Sequence, residues 1–467
     1  MTTDVVELLR AALGDRVDTG DAGLEAARAD KSGHAAAGRP LAVVHAASVD
    51  DVRETLRIAS ATGTPVVPRG AGTGLAGAAN TGTGEISLSL RAMDRVLEVR
   101  GDDLLAVVEP GILNADLNAH LAPYGLWWAP DPASRAISTV GGNIATGAGG
   151  LLCAKYGVVR DAVLGLDVVL ADGRLLRLGH RSVKGVTGYD LAALMIGSEG
   201  TLGVVVGATL KLRRLVPGEV CTLAATFPHV AAAASAAAAV TAAGVQPAIM
   251  ELMDAVSLSA VHALLDLPAP LPGVAQLTIQ TDGPAAREEA EAIAAVLTTA
   301  GGTVALSSDP DEGERLLRIR RSMHPAMERL GTTLIEDVSV PRSALPAMFA
   351  EIARIEREHG VAIPTVAHAG DGNLHPNFVF AGPDVPARVW EAADELFRAA
   401  LRLGGTLTGE HGIGVLKRRW LADELGADQW QLQRQIKRVF DPAGILNPGK
   451  VFLDPVEASP APVETSH

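Results

Sequence analysis

The sequence predicts an α+β protein of several structural units, and three observations lead to that prediction. The chain has 467 residues, and at about 150 residues per domain roughly three units are expected. Apolar residues make up 48% of the chain and charged residues 20%, a composition that can bury a sizeable core and excludes wholesale disorder. Short β-rich runs and amphipathic helical patterns both occur, unevenly distributed along the chain.

Residues 1–216 combine short strands with glycine-rich turns and few helices, which predicts a first α+β domain. The predicted strands lie at 41–46, 65–68, 85–90, 104–109 and 163–173, and the predicted helices at 5–13, 50–60 and 114–122.

A second domain is predicted over residues 217–405, where the pattern changes. Strand 221–227, an alanine-rich helix at 229–243, strands 248–254 and 274–281, helix 285–300 and strand 303–308 follow in turn. This β-α-β-β-α-β order is typical of a ferredoxin-like unit, here with a helical insertion at about 255–266. A hairpin is predicted at 361–381 and helices at 386–403 and 428–440. A C-terminal segment, 406–453, and a disordered tail, 454–467, complete the predicted organisation.

Charge and cysteine content exclude several classes of partner and site. Lys and Arg number 40 against 54 Asp and Glu, a net charge of −14, which argues against a nucleic-acid footprint. Cys153 and Cys221 are the only cysteines, so we expect no disulfide framework and a reducing compartment. The first residues do not match a signal peptide, and no long apolar run predicts a spanning helix. We therefore expect a cytoplasmic protein, with peripheral membrane contact left open.

Two glycine-rich stretches predict a phosphate-binding region. Residues 65–80, PVVPRGAGTGLAGAAN, place several glycines directly after a strand, where backbone N–H groups can turn toward a phosphate. Gly72, Gly74 and Gly77 match the dinucleotide fingerprint, but the residues that follow are not helical in pattern, so a Rossmann unit is rejected. A tight structural turn is the alternative for this loop. A second such stretch at 138–150 favours a long ligand with several phosphates.

The densest polar chemistry lies in HAGDGNLHPNFVF, residues 368–380. A two-residue turn at Asp371-Gly372 predicts that His368 directly faces His375, with Cβ atoms about 4.5–5.5 Å apart, and that Asn377 shares their face. Glu410, in the glycine-rich stretch 404–414, is the third candidate ligand. Two imidazoles and a carboxylate favour a divalent metal such as zinc, manganese, cobalt or iron. A hydrogen-bonded structural role is the alternative for each histidine.

Four arginines on one predicted helix offer a site for an anionic substrate. A guanidinium is the usual bidentate partner of a carboxylate. A solvated basic face explains most of these side chains, so one or two are expected to matter. The four are Arg315, Arg318, Arg320 and Arg321.

With these residues in place, the chain resembles the FAD-linked oxidases of the vanillyl-alcohol-oxidase-type flavin fold. Within that family it is similar to the D-2-hydroxy-acid dehydrogenase branch, which includes flavin D-lactate dehydrogenases, the glycolate oxidase flavin subunit and D-2-hydroxyglutarate dehydrogenase. The resemblance covers about residues 40–452. The motifs that carry it are PRGAGTGLAG (68–77), DPAS (131–134), TVGGNIATGAGG (139–150), KYGVVRD (155–161), TGYDLAALMIGSEGTLGVV (187–205), HAGDGNLHPN (368–377), TGEHGIG (408–414) and ILNPGK (445–450).

The resemblance implies a two-part FAD-binding domain over 1–216, a ferredoxin-like substrate (cap) domain and a C-terminal helical segment that packs back toward the flavin. It also implies that His368, His375 and Glu410 bind a divalent metal, zinc or manganese first, with Asn377 nearby and His411 as general base. The residues implied for FAD are Pro68, Arg69, Gly70, Ala71, Gly72, Thr73 and Gly74 at the pyrophosphate, and Pro130, Thr139, Gly142, Asn143, Gly149, Glu199, Val204 and Val205 along the rest of the cofactor.

Two departures from the family pattern refine these expectations. No histidine stands in the loop 69–77, where covalent relatives attach flavin, so we expect dissociable FAD.

In the family a helix arginine holds the substrate carboxylate, and Arg320 is the best positional match, with Arg321 second. Hydroxyglutarate-type members carry a lysine near the next strand, where this chain has Ile335. An apolar side chain there disfavours a second carboxylate, which makes D-lactate the first candidate ahead of glycolate or D-2-hydroxyglutarate.

The expected reaction is oxidation of a 2-hydroxy acid, with His411 accepting the hydroxyl proton as hydride passes to the flavin. The electron acceptor is left open among a quinone, a cytochrome and an electron-transfer flavoprotein, and a homodimer is one candidate assembly. Three other readings remain: a metal-dependent hydrolase using the same cluster, a nucleotide-binding module without turnover, and a same-fold flavin enzyme without net redox such as an alkyl-glycerone-phosphate synthase.

Overall fold

The computed structural model describes residues 4–452. Its N-terminal part is a small sheet flanked by helices. Its strands occur in the order β1-β2-β4-β3, and β4 pairs in parallel with both β2 and β3. Between β3 and β4 the glycine-rich loop contains no helix, which confirms the rejection of a Rossmann unit. The elements are α1 (Val5–Leu13), β1 (Val17–Asp18), α2 (Asp21–Ala27), β2 (Ala42–His45), α3 (Val49–Thr62), β3 (Val66–Arg69) and β4 (Ile86–Ser89).

A five-stranded antiparallel sheet forms the second part of the first domain. Its order is β5-β6-β10-β8-β9, while β7 and β11 form a separate two-stranded ribbon. The elements are β5 (Val96–Arg100), β6 (Leu105–Val108), α4 (Asn114–Leu121), β7 (Leu126–Trp127), α5 (Val140–Thr146), α6 (Cys153–Tyr156), β8 (Val163–Val169), β9 (Leu175–Gly179), α7 (Leu191–Met195), β10 (Val204–Lys211) and β11 (Arg213–Arg214). The two sheets share a core, because Val204 and Val206 of β10 pack in the cluster of the N-terminal sheet.

The next region has the predicted β-α-β-β-α-β order, with α9 as the helical insertion. Its strands occur in the order β15-β12-β14-β13, which is antiparallel throughout. The alanine-rich stretch forms α8, where Ala233, Ala236 and Ala237 are fully buried, so the tract is a packed helix. The elements are β12 (Glu219–Phe227), α8 (Val230–Ala242), β13 (Ile249–Met253), α9 (Ala255–Leu264), β14 (Ala275–Gly283), α10 (Ala286–Thr299) and β15 (Thr303–Ser307).

The remaining strands extend this sheet beyond β13. Strand β18 pairs with β13, and the order continues β18-β19-β16, with β17 also paired to β19. The elements are α11 (Pro310–Arg321), α12 (Met323–Leu330), β16 (Thr332–Ile335), β17 (Val338–Ser339), α13 (Leu345–His359), β18 (Thr365–His368), β19 (Asn373–Phe380), α14 (Ala387–Arg402) and α15 (Leu421–Phe440). Helix α15 is kinked at Gly426, whose φ is +70°.

The predicted register of the hairpin β18-β19 is wrong. His368 pairs with Asn373, and His375 pairs with Val366, so the two histidines are not directly opposed. The connection spans residues 369–372, and the N–H groups of both Asp371 and Gly372 donate to the His368 carbonyl. A four-residue loop therefore replaces the two-residue turn. Because the register moves by two residues, both histidines keep the same face as diagonal neighbours.

The C-terminal segment returns to the N-terminal sheet. The Val66 N–H donates to the Ile445 carbonyl, and the Asn447 N–H donates to the Val66 carbonyl, while Ile445 and Leu446 are buried in the core of that sheet. The predicted tail, 454–467, lies outside the described residues. Among residues 4–452, helices long and apolar enough to cross a membrane are not found.

Candidate active site

The two glycine-rich stretches, which lie about sixty residues apart in sequence, meet in the fold. A Cβ atom on Gly70, directly after β3, would collide with the Thr139 hydroxyl. Thr139 is the N-cap of α5, and its Oγ1 accepts from the Gly142 N–H at 3.2 Å. Only glycine allows this approach of the 68–77 loop to the start of α5. The arrangement leaves backbone N–H groups and a helix N-terminus at one place, as phosphate binding requires.

The side chain of Arg69 serves the loop itself. Its Nη1 donates to the Ala79 carbonyl at 2.8 Å, and its Nη2 donates to the Ala29 carbonyl at 2.7 Å. Asp30, which sequence reasoning missed, accepts from the Gly77 N–H at 3.0 Å. Burial raises the pKa of Asp30 and lowers that of Arg69. The Arg69 side chain is therefore engaged within the protein, and its contact with the cofactor stays a prediction.

Several predicted cofactor residues line the same region, and one has an unused donor. Asn143 is 4% exposed, and its Nδ2 has no hydrogen-bond partner within the described chain. A buried amide donor is costly without a partner, so this atom fits a bound ligand. The same is true of the glycine cradle, the name used here for the 68–77 loop together with the start of α5. Val204 and Val205 are buried in β10. The positions Pro68, Ala71, Thr73, Gly74, Pro130 and Gly149 lie in loops or near strand ends. All of the predicted positions stay predictions as cofactor contacts.

His368, His375 and Glu410 converge as predicted. The Glu410 Oε1 lies 3.1 Å from the His375 Nε2 and 3.5 Å from the His368 Nε2. One ligand atom from each of the three lies within 4.8 Å of the others, and the two rings are 5.0 Å apart between centroids. Nitrogen and carboxylate donors at this spacing fit a divalent cation.

The electrostatics of this cluster favour a positive charge. Burial alone would lower the pKa of His368, but Glu251 and Glu410 outweigh that effect and raise it well above its usual value. Burial likewise acts to raise the pKa of Glu410, yet His368 and His375 hold it well below its usual range. Since the site stabilises a proton between its ligands, the same groups can exchange that proton for a metal cation.

Two buried carboxylates, one from each half of the molecule, hold the loop that carries Glu410 and His411. Asp337 accepts from the N–H groups of Gly409, Glu410 and His411 at 2.9–3.0 Å, all through Oδ2. Glu199 accepts from the N–H groups of Ile413 at 2.7 Å and Gly414 at 2.9 Å. Both oxygens of the Glu199 carboxylate are thus bonded to this loop. The Glu199 backbone is strained, with φ at +52°, as residues at functional sites often are.

His411 is stacked against a metal-ligand candidate. Its ring lies 4.9 Å from that of His375, at an interplanar angle of 12°. Its Nδ1 is buried without a partner among residues 4–452. Burial lowers the pKa of His411 to about 4, so the imidazole is neutral near pH 7 and can accept a proton.

A second group of metal-binding type consists of Asp337, His375 and His411. The Asp337 oxygens already accept from loop amides and, at Oδ1, from the Asn373 Nδ2. A metal there would displace those bonds, so the His368, His375 and Glu410 group is the better site.

Of the four arginines on α11, Arg320 reaches the cluster. Its Nε lies 2.6 Å from the Glu251 Oε2, whereas Arg321 pairs with Glu314 at the surface. Asn377 is 3% exposed and donates to the His375 carbonyl at 2.8 Å. Both residues stay predictions as substrate contacts.

Sequence reasoning missed Glu251 and Asp337 and the loop-binding role of Glu199. Glu251 sits in the apolar strand AIMELMD, and Asp337 follows TLIE in another apolar run. Charged residues are almost never fully buried unless paired. A carboxylate within an otherwise apolar strand is the signal that could have identified Glu251 and Asp337.

Comparison with known proteins matches two family profiles to most of the chain. The family profile described as FAD binding domain matches residues 40–179, and that of FAD linked oxidases, C-terminal domain, matches residues 216–451. Glycolate oxidase subunit GlcD of Bacillus subtilis is 39% identical, over 88% of this chain and 89% of its own length. A probable mitochondrial D-lactate dehydrogenase of Danio rerio is 33% identical, over 96% of this chain and 91% of its own.

Solved structures share the fold at lower identity. A 4-ethylphenol oxidase from Gulosibacter chungangensis superposes with a TM-score of 0.75 at 19% identity, covering 97% of both chains. An alkyldihydroxyacetonephosphate synthase gives a TM-score of 0.74 at 21% identity, covering 95% of this chain and 85% of the other.

The fold and the glycine cradle define a flavoprotein of the vanillyl-alcohol-oxidase type, as the sequence predicts. The chain belongs to the family of FAD-linked oxidases. It is an FAD-dependent oxidoreductase of the branch whose members include proteins named glycolate oxidase subunit and D-lactate dehydrogenase.

Proposed function

We propose that this enzyme oxidises a short D-2-hydroxy acid, with D-lactate as the first candidate, to the corresponding 2-oxo acid. A divalent metal, zinc or manganese, would be held by His368, His375 and Glu410. The observation that carries the proposal is the contact of this cluster with the flavin domain. A Cβ on Gly149, in the second glycine-rich stretch, would collide with the Glu410 Oε2, so the metal-type ligands lie directly against the cofactor side of the molecule.

Non-covalent FAD is part of the proposal. The residues that would hold it are the 68–74 loop, the start of α5 and the partnerless amide of Asn143. When bound, FAD supplies a two-electron acceptor, and a divalent cation supplies a Lewis acid for substrate oxygens. Acid denaturation should leave a yellow supernatant above colourless precipitated protein.

His411 would take the proton of the substrate hydroxyl. Its imidazole is neutral near pH 7 because burial lowers its pKa. The ring is fixed by stacking on His375, and its backbone N–H is held by Asp337 at 3.0 Å. The proposal for His411 therefore rests on its position, since general base catalysis requires a fixed proton acceptor within reach of the substrate hydroxyl.

Arg320 would hold the substrate carboxylate. Its Nε is used by Glu251, and neither of its terminal nitrogens makes a hydrogen bond in the described part of the chain. Those two nitrogens can therefore donate to both oxygens of a substrate carboxylate. Ile335, at the end of β16, offers no cation for a second carboxylate, which supports a monocarboxylate substrate.

The test is anaerobic mixing of the purified yellow protein with D-lactate, L-lactate, glycolate and D-2-hydroxyglutarate while the flavin absorbance is followed. D-lactate should bleach the flavin fastest and L-lactate should not bleach it. Chelation should abolish bleaching, and added Mn²⁺ or Zn²⁺ should restore it. Faster bleaching by glycolate would identify glycolate, rather than D-lactate, as the preferred substrate. Oxidised flavin with all four acids would contradict the proposal.

A further inference from the structure

One buried carboxylate joins two residues for which we propose different roles. Glu251 is 1% exposed. Its Oε1 lies 2.7 Å from the His368 Nδ1, and its Oε2 lies 2.6 Å from the Arg320 Nε. Each carboxylate oxygen is therefore engaged by one donor, the first belonging to a metal-ligand candidate and the second to the substrate-binding candidate.

Strand register explains the first of these contacts. Strand β13 pairs antiparallel with β18, and Glu251 lies directly opposite His368. Directly opposed residues have their side chains on the same face of the sheet. Arg320 reaches that face from the last turn of α11, so three separate segments meet at one carboxylate.

The contacts fix which atoms of each partner remain available. An imidazole that donates its Nδ1–H to a carboxylate presents the lone pair of Nε2, and the His368 Nε2 is the atom 3.5 Å from Glu410. A guanidinium that donates through Nε keeps its two terminal nitrogens for a second carboxylate.

The other imidazole lacks such a partner. The His375 Nδ1 is 3.7 Å from the Asp337 Oδ1, beyond hydrogen-bond distance. It is also among the buried atoms without a partner in residues 4–452. Of the two histidine candidates, His368 alone has its Nδ1 bonded to a carboxylate, so the Nδ1 of His375 has no counterpart of Glu251.

We propose that Glu251 is a positioning residue that sets the distance between the metal site and the substrate carboxylate site. One of its oxygens holds His368 in the tautomer that faces the metal, and the other aims the terminal nitrogens of Arg320. This inference rests on the proposed function, because it assigns the metal and the hydroxy acid to those two places.

The decisive variant is Glu251→Gln, which keeps the shape and removes one acceptor. Both partners of Glu251 are N–H donors, and an amide has a single acceptor oxygen, so glutamine satisfies only one of them. Loss of such a supporting bond typically lowers metal affinity about 10- to 100-fold. We expect that loss for Mn²⁺, measured as the metal retained after dialysis of the flavin-loaded enzyme against graded chelator.

A second expectation concerns the kinetics of the same variant at saturating Mn²⁺. Misplacement of Arg320 should raise KM for D-lactate about tenfold or more, while kcat recovers toward the wild-type value. A merely structural defect would lower both the active fraction and kcat and would leave KM unchanged.

Asp254→Asn is the matched control. Asp254 is another carboxylate close by in sequence, and it accepts from the backbone N–H groups of Ser257 and Thr365, each at 2.7 Å, rather than from His368 or Arg320. Its replacement should leave Mn²⁺ retention and KM unchanged.

The results separate this inference from the proposed function. Wild-type retention of Mn²⁺ and wild-type KM in Glu251→Gln would overturn the inference, as would equal losses in Glu251→Gln and Asp254→Asn. A wild-type enzyme that neither retains Mn²⁺ nor bleaches with any hydroxy acid would overturn the proposed function instead. If Glu251→Gln does not fold, Glu251→Asp replaces it. This variant keeps the charge but is too short to reach both partners, and the same loss of Mn²⁺ is expected.

Discussion

The cofactor region and the metal cluster are built from different materials. The predicted FAD site is formed mainly by backbone atoms, because glycines allow the 68–77 loop to touch the start of α5. The metal cluster is formed by side chains. Glu251 bonds to His368, and Asp337 accepts from the backbone of the loop that carries Glu410. A site made of backbone depends on local sequence, whereas a site made of side chains depends on partners from distant segments.

This difference predicts that the two sites can be damaged separately. A substitution at the metal cluster should spare FAD, because no cofactor contact is predicted for its ligands. A substitution in the glycine cradle should weaken FAD while leaving the metal ligands in place. Gly149, which touches Glu410, is the position where the separation should fail.

The largest effect on turnover is expected from His411→Gln. A general base contributes about 10²–10⁴-fold, so flavin reduction by D-lactate should slow by that order when measured by stopped-flow absorbance. FAD content and Mn²⁺ retention should equal those of the wild type, because the Asp337 contact of residue 411 is through its backbone. An unchanged rate would remove His411 from the reaction.

A metal-ligand variant, His375→Ala, should come next. Lewis-acid stabilisation is worth several kcal/mol, which corresponds to a loss of about 10²–10³-fold in turnover. Elemental analysis should show the metal gone and the flavin spectrum should be retained. His359→Ala is the control, since that histidine pairs with Glu395 at 2.9 Å, outside the cluster. Loss of FAD in His375→Ala would break the distinction between the two regions.

A smaller effect is expected from Gly70→Ala in the cradle. The added methyl would push the Thr139 hydroxyl away from the Gly142 N–H that it caps, and loss of an N-cap costs about 1 kcal/mol. FAD affinity should fall about fivefold or more in a fluorescence titration of the apoprotein, with Mn²⁺ retention unchanged. Gly101→Ala, where a Cβ would meet open space, should leave FAD affinity as it is.

The last prediction concerns stability, with no change expected at either site. Burial raises the pKa of Glu336 from 4.5 to about 7 and outweighs the opposing charge of Lys417, whose Nζ lies 3.8 Å from the Glu336 Oε2. The folded state therefore favours the protonated form, so its contribution to stability is complete below about pH 4.5 and is lost as the pH rises toward 7. Glu336→Gln mimics the protonated form at every pH.

Calorimetry should show the consequence of that substitution. Each unit of pKa difference is worth about 1.4 kcal/mol, so Tm of Glu336→Gln should exceed that of the wild type by a few degrees at pH 8. The two values should converge near pH 5. A Tm difference that does not depend on pH would show that Glu336 is charged in the folded protein.

The sequence predicts the backbone of the fold well and the support of the site poorly. Strand-and-glycine patterns locate β3, the loop after it and the β-α-β-β-α-β region, because periodicity and turn chemistry are local. The hairpin register is wrong because Asp371-Gly372 fits a tight turn by composition, while both amides bond to the His368 carbonyl in a longer loop. The pairing of Glu251 with Arg320 is not local, as 69 residues separate the two.

The loop 408–414 also ties the two halves of the molecule into one thermodynamic system. Its amides are shared between Asp337 of the substrate half and Glu199 of the flavin half, so separation of the halves would leave buried amides or a carboxylate without partners. We therefore expect the two halves to unfold together rather than one after the other.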